Sequence, residues 1–490
     1  MTATVSRPAA SRVSNGASAV DAVVVGGGPN GLAAAITLAR SGRSVTLLEA
    51  EATVGGGARS TELTLPGFVH DVCSAIYPFG RTSPFFAGLD LERHGLRWIE
   101  PPASVGHPLD DGSAVIVERD VDATAAQLGR DGDAYRRLFE PLVRNHDALL
   151  PDVLGPFHVP LSPPRAIRLG LFGVLALQPA TLLARRFRDA PARALLAGAA
   201  AHSMLRLDEP VSGAAALLML ASAHRDGWPF PAGGAGRIPE ALAAELLSLG
   251  GTIEVGRPVT RLGDLPRYRV AVFDTSARGL LEIAGDRFSS RYRRALEGFR
   301  YGPGVFKLDL AIEGAIPWRA EDLARVGTVH IGGTFEEIAR SERDVAAGRI
   351  PERPFVLLAQ QSLFDRSRAP EDGNTVWAYC HVPNGSTVDM TEVILHQVER
   401  FAPGFRARIL ATVATSPAAL EAYNRNDVGG DIAGGRLDLG QLFTRPARRL
   451  DPYSTPDPAI FLGSASTPPG GGVHGMSGFH AARSAERHLR

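Results

Sequence analysis

Cysteine is nearly absent from this chain: Cys73 and Cys380 are the only two among 490 residues, they lie far apart, and they form no CxxC pair. That spacing argues against a disulfide framework, a thiolate zinc site and a dithiol redox centre. Lysine is scarcer still. Lys307 stands alone among basic residues that are otherwise arginine, a bias of the kind base composition produces, and this singles it out for attention. Net charge is missing as well, with 52 basic against 52 acidic residues. No global field exists to gather nucleic acid or to press the protein onto an anionic membrane. Nor is there a long apolar run: the longest near the middle, 169–177, stops before Pro179 and is too short to cross a bilayer. The first residues are rich in Ala, Ser and Arg without the apolar stretch of a secretory signal, so 1–19 reads as a disordered tail. A cytoplasmic protein is expected.

What remains is ordinary for a soluble enzyme, 44% hydrophobic and 21% charged. The length exceeds what one core can hold, so two domains are expected, interleaved along the sequence. Order begins with the β-branched run 21–25, which reads as a buried parallel strand. It enters Gly26-Gly27-Gly28-Pro29-Asn30-Gly31, a GxGxxG, and a helical pattern at Leu32, Ala35, Ile36 and Ala39 follows, with Gly42 at its stop. A second strand, 44–48, ends in Glu49. Each part has a physical task. Gly26 permits the tight turn, Gly28 lets backbone approach a pyrophosphate, and Gly31 lets the helix pack on the strand, while the helix N-terminus offers N–H groups to phosphate. Glu49, 18 residues after Gly31, is placed to accept from an adenosine ribose. This segment specifies a dinucleotide without separating FAD from NAD.

Further motifs narrow the choice. Val54-Gly55-Gly56-Gly57-Ala58-Arg59-Ser60 is a second glycine turn ending in arginine. Near the C-terminus a strand at 459–463 leads into a glycine-rich loop, 464–478, containing Gly470-Gly471-Gly472-Val473-His474-Gly475-Met476, with a helix expected over 479–489. Between them, Gly227-Trp228-Pro229-Phe230-Pro231 and Gly233-Gly234 precede a helix at 238–249, the turn Gly250-Gly251, a strand at 252–255 and Pro258-Val259-Thr260. Together with 426–435 and 453–456, these resemble the phytoene-desaturase-like branch of the amine-oxidase and phytoene-desaturase flavoproteins, from residue 21 onward. The resemblance is nearest to the pyridine-nucleotide-disulfide-oxidoreductase-domain proteins, although this chain has neither a second GxGxxG after a strand nor a CxxC.

The resemblance implies an α/β chain: a Rossmann-type FAD-binding domain of the glutathione-reductase and amine-oxidase kind, made of 20–75, 225–285 and 440–490. It is interleaved with a substrate domain of mixed sheet and helices, 76–224 and 286–440. The first of these stretches reads as helical and the other as strand-rich, for example at 305–312 and 375–382. The resemblance further implies one FAD, held without a covalent link by Gly26, Gly28, Pro29, Asn30, Gly31, Glu49, Gly56, Gly57, Ala58, Arg59, Val259, Gly463, Gly471, Gly472, Val473, His474, Gly475 and Met476. Lys307 resembles the amine-oxidase lysine that holds a water beside flavin N5; the alternative is a solvent-facing lysine sharing one strand face with Asp309. His474 is a candidate acid or base, or a brace for its loop. Trp228, Phe230, Tyr379 and His381 are candidates for the substrate pocket or for core, and His70-Asp71 for a loop contact near the flavin. No spaced His/Cys/Asp/Glu cluster has the character of a metal site.

The function implied is desaturation or another oxidation of a small lipophilic substrate. The apolar stretches 169–177 and 194–223 suit an apolar pocket or a patch that leans on a membrane or partner, with buried core as the alternative, chiefly for 194–223. Rival readings are an amine or amino-acid oxidase, a non-oxidative isomerase using reduced FAD, and a cofactor-free binding protein like the GDP-dissociation inhibitors, whose eroded flavin loop this chain does not share.

Overall fold

The run Val20–Val25 is apolar on both sides, which suits a strand covered on both faces. In the computed structural model, which describes residues 19–157 and 162–490, it is the central strand of a five-stranded sheet. The order is Ile460–Leu462, Tyr268–Phe273, Val20–Val25, Val45–Leu48, Thr252–Glu254, and every pairing is parallel. These strands come from distant parts of the chain, so this half of the molecule is discontinuous in sequence. Apart from Ala19, the stretch read as a tail lies outside the described residues.

Two helices close one side of the sheet, Pro29–Arg40 and the C-terminal Met476–Leu489. Their approach is set by glycine: a Cβ on Gly478 would stand 1.7 Å from the Asn30 carbonyl oxygen. The last helix begins three residues earlier than the sequence pattern predicts. Gly475, at φ +69°, makes the left-handed turn that ends the loop there.

A second sheet of seven strands carries the other half. Its order is Ile409–Thr415, Gly304–Glu313, Gly373–Val382, Val356–Ala359, Val326–Ile331, Ala103–Pro108, Ala114–Val117. All neighbours are antiparallel except Val326–Ile331 with Ala103–Pro108. The two long strands fall where the sequence pattern puts them. The pair at 103–117 departs from the helical reading of that region: Ala103–Pro108 is buried at every position, which erases the alternation that marks a strand.

The two faces of this sheet differ. Phe306, Leu308, Val356, Leu358, Val376 and Ala378 point to an aliphatic layer shared with the helix Thr391–Phe401. The alternate residues, among them Lys307, Asp309, Thr328, His330, Trp377 and Tyr379, face the interior of the molecule. There the buried helices Ala190–Ala201 and Ser212–Arg225 cover part of that face, so most of the stretch 194–223 is core, while Met204, Leu218 and Met219 within it face a cavity. The helix Pro163–Ala176 differs, with Ile167, Leu171 and Val174 exposed along one side. Among the described residues no helix is long and apolar enough to cross a membrane.

Candidate cofactor and substrate cavity

Between the sheets lies one continuous cavity of about 700 Å³. One end is the strand–turn–helix start. Gly26 takes φ +102° and donates to the Leu48 carbonyl oxygen at 2.8 Å, turning the chain sharply out of its strand. Glu49 ends the neighbouring strand, and its carboxylate accepts from Gly27 N at 2.7 Å and Glu51 N at 2.9 Å. The second glycine turn docks on the first through Gly55 N and the Gly27 carbonyl oxygen, 2.8 Å apart.

This end fits a diphosphate-linked dinucleotide. A Cβ on Gly56 would stand 3.2 Å from Gly28 Cα, and a Cβ on Gly28 2.7 Å from the Asp274 carboxylate, so only bare backbone leaves the groove open. The helix Pro29–Arg40 has no cap from its own N-cap residue and no acidic residue in its first turn; the Asp274 carboxyl takes the Gly31 N–H, and the rest of this positive end is open to an anion. Asn30 Oδ1 and Thr275 Oγ1 are buried without a partner, and both residues line the cavity.

Of the residues assigned to the cofactor from sequence, Gly26, Gly28, Pro29, Asn30, Glu49, Gly56, Gly57, Arg59, Val259, Gly471, Gly472 and Val473 line this cavity. Gly31, Ala58, Gly463, His474, Gly475 and Met476 do not. Gly31 and Gly463 are packing positions: a Cβ on the first would lie 2.0 Å from the Gly26 carbonyl oxygen, and on the second 2.6 Å from Ala481 Cβ. Ala58 closes a turn by donating to the Gly55 carbonyl oxygen. His474 is buried, its Nδ1 accepts from Met476 N at 3.1 Å, and burial pulls its pKa down to about 4. That hydrogen bond ties the glycine loop to the start of the last helix.

Lys307 is buried and paired with Asp309. The two share a strand face as the alternation predicts, but that face is interior, which overturns the solvent-facing reading. Lys307 does not line the cavity. It sits behind Cys73, which does, close enough for its charge to act on that thiol. His70 Nδ1 lies 3.6 Å from Asp309, and burial first, then Lys307, brings its pKa down to about 4. Asp71 accepts from Ser60 Oγ and Ala235 N, both at 2.7 Å, and from the buried Arg368 at 2.6 Å. His70-Asp71 is therefore part of a buried polar junction, and neither residue lines the cavity.

The other end of the cavity is a chamber walled by Met204, Leu218, Met219, Trp228, Leu357 and Tyr379, among others. Of the pocket candidates, Trp228 and Tyr379 line it. Phe230 is buried outside it beneath the Arg368 guanidinium, and His381 sits behind Tyr379, its Nδ1 2.9 Å from Glu342.

Sequence reasoning missed Asp274, which ends its parallel strand just as Glu49 ends another; that signal was present in the run Tyr268–Phe273 followed by an acid. Its carboxylate accepts from Gly31 N at 2.8 Å, its open side faces the cavity, and burial, opposed by that N–H and reinforced by Glu49, pushes its pKa up to about 7. A carboxyl held protonated by the fold loses stability relative to the unfolded chain as pH rises from its ordinary value near 3.8 to about 7. Asp274→Asn keeps the acceptor and cannot ionise. The apoprotein variant should be more stable than wild type at pH 8, by at most about 4 kcal/mol, with the gain shrinking toward pH 4. Urea melts at both pH values check this, and equal stability at pH 8 would refute it.

One cluster that spacing alone did not reveal is His146 Nδ1, 3.3 Å from Asp226 and 3.7 Å from Asp147. Arg225 already holds Asp147 in a fork at 3.1 and 2.6 Å, so the group reads as a charge network.

The description "NAD(P)-binding Rossmann-like domain" matches residues 24–88. Along nearly its whole length the chain is similar to pyridine nucleotide-disulfide oxidoreductase domain-containing protein 2 of Mus musculus, 24% identical over 96% of this chain and 94% of that one. Over about half of each chain, 49% and 50%, it is 33% identical to hydroxyneurosporene desaturase of Cereibacter sphaeroides. In fold it is similar to cyclohexylamine oxidase from Brevibacterium oxydans, with a TM-score of 0.60 at 17% identity over 96% of this chain and 100% of that one. These likenesses are to oxidoreductases of the FAD/NAD-binding amine-oxidase and desaturase superfamily, and the fold is that of its FAD-binding members. The resemblance drawn from the glycine motifs stands.

Proposed function

We propose that the protein is an FAD-dependent oxidoreductase that oxidises a lipophilic substrate. The observation that carries this reading is the single cavity: a dinucleotide groove at one end opens without interruption into an apolar chamber at the other. Gly26–Asn30 and Glu49 would hold the adenosine diphosphate, and Gly471 to Val473 the flavin side. The cofactor would supply a hydride acceptor at N5. The chain's own residues do the rest. Met204, Leu218, Met219 and Leu357 exclude water and bind apolar surface. Lys307 contributes a fixed positive charge behind Cys73 rather than a contact with substrate, and His474 keeps the glycine loop in shape. The exposed apolar side of Pro163–Ala176, with Ile167, Leu171 and Val174, suits contact with a lipid surface from which such a substrate is drawn.

The purified protein is expected to be yellow, with the two visible bands of an oxidised flavin, and denaturation should release free FAD. A colourless protein that cannot be reconstituted with FAD would overturn the reading.

A further inference from the structure

The chamber is not uniformly apolar, and an inventory of its polar groups shows two without a partner that open onto it. The Tyr77 hydroxyl is taken by Ser74, 3.0 Å away, and Trp228 Nε1 donates to the Met219 carbonyl oxygen at 3.1 Å. Thr328 Oγ1 and Trp377 Nε1 are buried within the wall itself. What is left is the Tyr379 hydroxyl and His202 Nδ1. Both residues line the cavity, and among the described residues neither atom makes a hydrogen bond.

Their placement is built in. His202 follows the helix Ala190–Ala201, and its Nε2 is fixed by His330 Nε2 at 2.9 Å, with Trp228 edge-on to the ring at 5.9 Å. His330, Leu357 and Tyr379 lie side by side across three strands, so His330 and Tyr379 flank Leu357, and His202 joins this row through its hydrogen bond to His330. Burial holds His202 neutral, with a pKa brought down to about 3, and pushes the Tyr379 hydroxyl well above its ordinary value. Glu342, whose charge acts on Tyr379, is engaged by His381. A neutral phenol and a neutral imidazole can give or take one hydrogen bond each, and neither compensates an ammonium or a carboxylate.

We propose that Tyr379 and His202 form a polar anchor in the chamber that holds the hydroxyl or carbonyl oxygen of an otherwise apolar substrate. The inference rests on the oxidoreductase reading and narrows its substrate class, from lipophilic molecules in general to those bearing one neutral oxygen function.

The test is ligand-observed NMR on the FAD-loaded protein with two probes of matched shape, 4-phenylbutan-2-one and n-butylbenzene. Tyr379→Phe removes only an unpartnered hydroxyl, so it should fold and melt as wild type does. It is expected to weaken the ketone about fivefold to tenfold, the worth of one neutral hydrogen bond, and to leave the hydrocarbon within twofold. His202→Asn should act in the same direction and serves if the first variant fails to fold. Equal loss of both probes, no loss of either, or no binding of the ketone to wild type overturns the proposal. Absence of the flavin bands, by contrast, defeats the preceding reading.

Discussion

Alanine at Gly31 is expected to weaken FAD binding about tenfold to a hundredfold. The added Cβ would stand 2.0 Å from the Gly26 carbonyl oxygen and 3.0 Å from the carbonyl carbon. Both are backbone atoms of the phosphate turn, held by Gly26 at φ +102°, so no side-chain rotation can relieve the overlap. The helix must lift from its strand, and the N–H groups at its start lift with it. Overpacking of this kind costs about 1–3 kcal/mol or more, and here the distortion falls on the groove that would hold the diphosphate; tenfold in affinity corresponds to about 1.4 kcal/mol. Gly42→Ala is the control. That glycine also has positive φ, at +77°, but a Cβ there meets nothing within 4 Å, so it should cost about 1 kcal/mol of stability and leave FAD affinity unchanged. Titration of apoprotein with FAD, followed by flavin fluorescence, distinguishes the two. Retention of wild-type affinity by Gly31→Ala would show that the glycine is not needed for close packing.

Loss of the lysine comes next. Lys307→Met should lower stability by about 3–5 kcal/mol, because it strands a fully buried carboxylate. Asp309 shows how near the margin that pair sits: burial already raises its pKa to about 6, with Lys307 as the main opposing influence. Without the ammonium the pKa rises further, the folded state holds its proton to higher pH than the unfolded chain, and stability falls as pH increases. The deficit should therefore be larger at pH 8 than at pH 5. Asp309→Asn in the same background removes the charge and should recover most of the loss. Urea unfolding of the single and double variants at both pH values measures this. A single variant as stable as wild type at pH 8 would mean that Asp309 finds another partner.

Local pattern along the chain was enough to specify the nucleotide half. A GxGxxG between a strand and a helix, an acid at the end of the next strand, and a glycine loop before the last helix are local patterns, and backbone sterics translate each directly into a turn or a close approach. Even there, which glycines bound the groove and which only let elements pack was decided by tertiary distance: Gly28 and Gly56 do the first, Gly31, Gly463 and Gly478 the second. Asp274 carried the same legible signal as Glu49 but lies 225 positions further along, and only the parallel register brings the two strand ends to one groove.

The substrate half was decided almost wholly by tertiary structure. Alternation placed Lys307 and Asp309 on one strand face, yet nothing local says whether that face meets water or the interior; the covering elements come from elsewhere in the chain. His202 and His330 are separated by 128 positions, and neither sits in a motif. The direction a buried histidine faces, and which of its nitrogens remains free, follow from packing between a helix and a sheet that no spacing along the chain encodes.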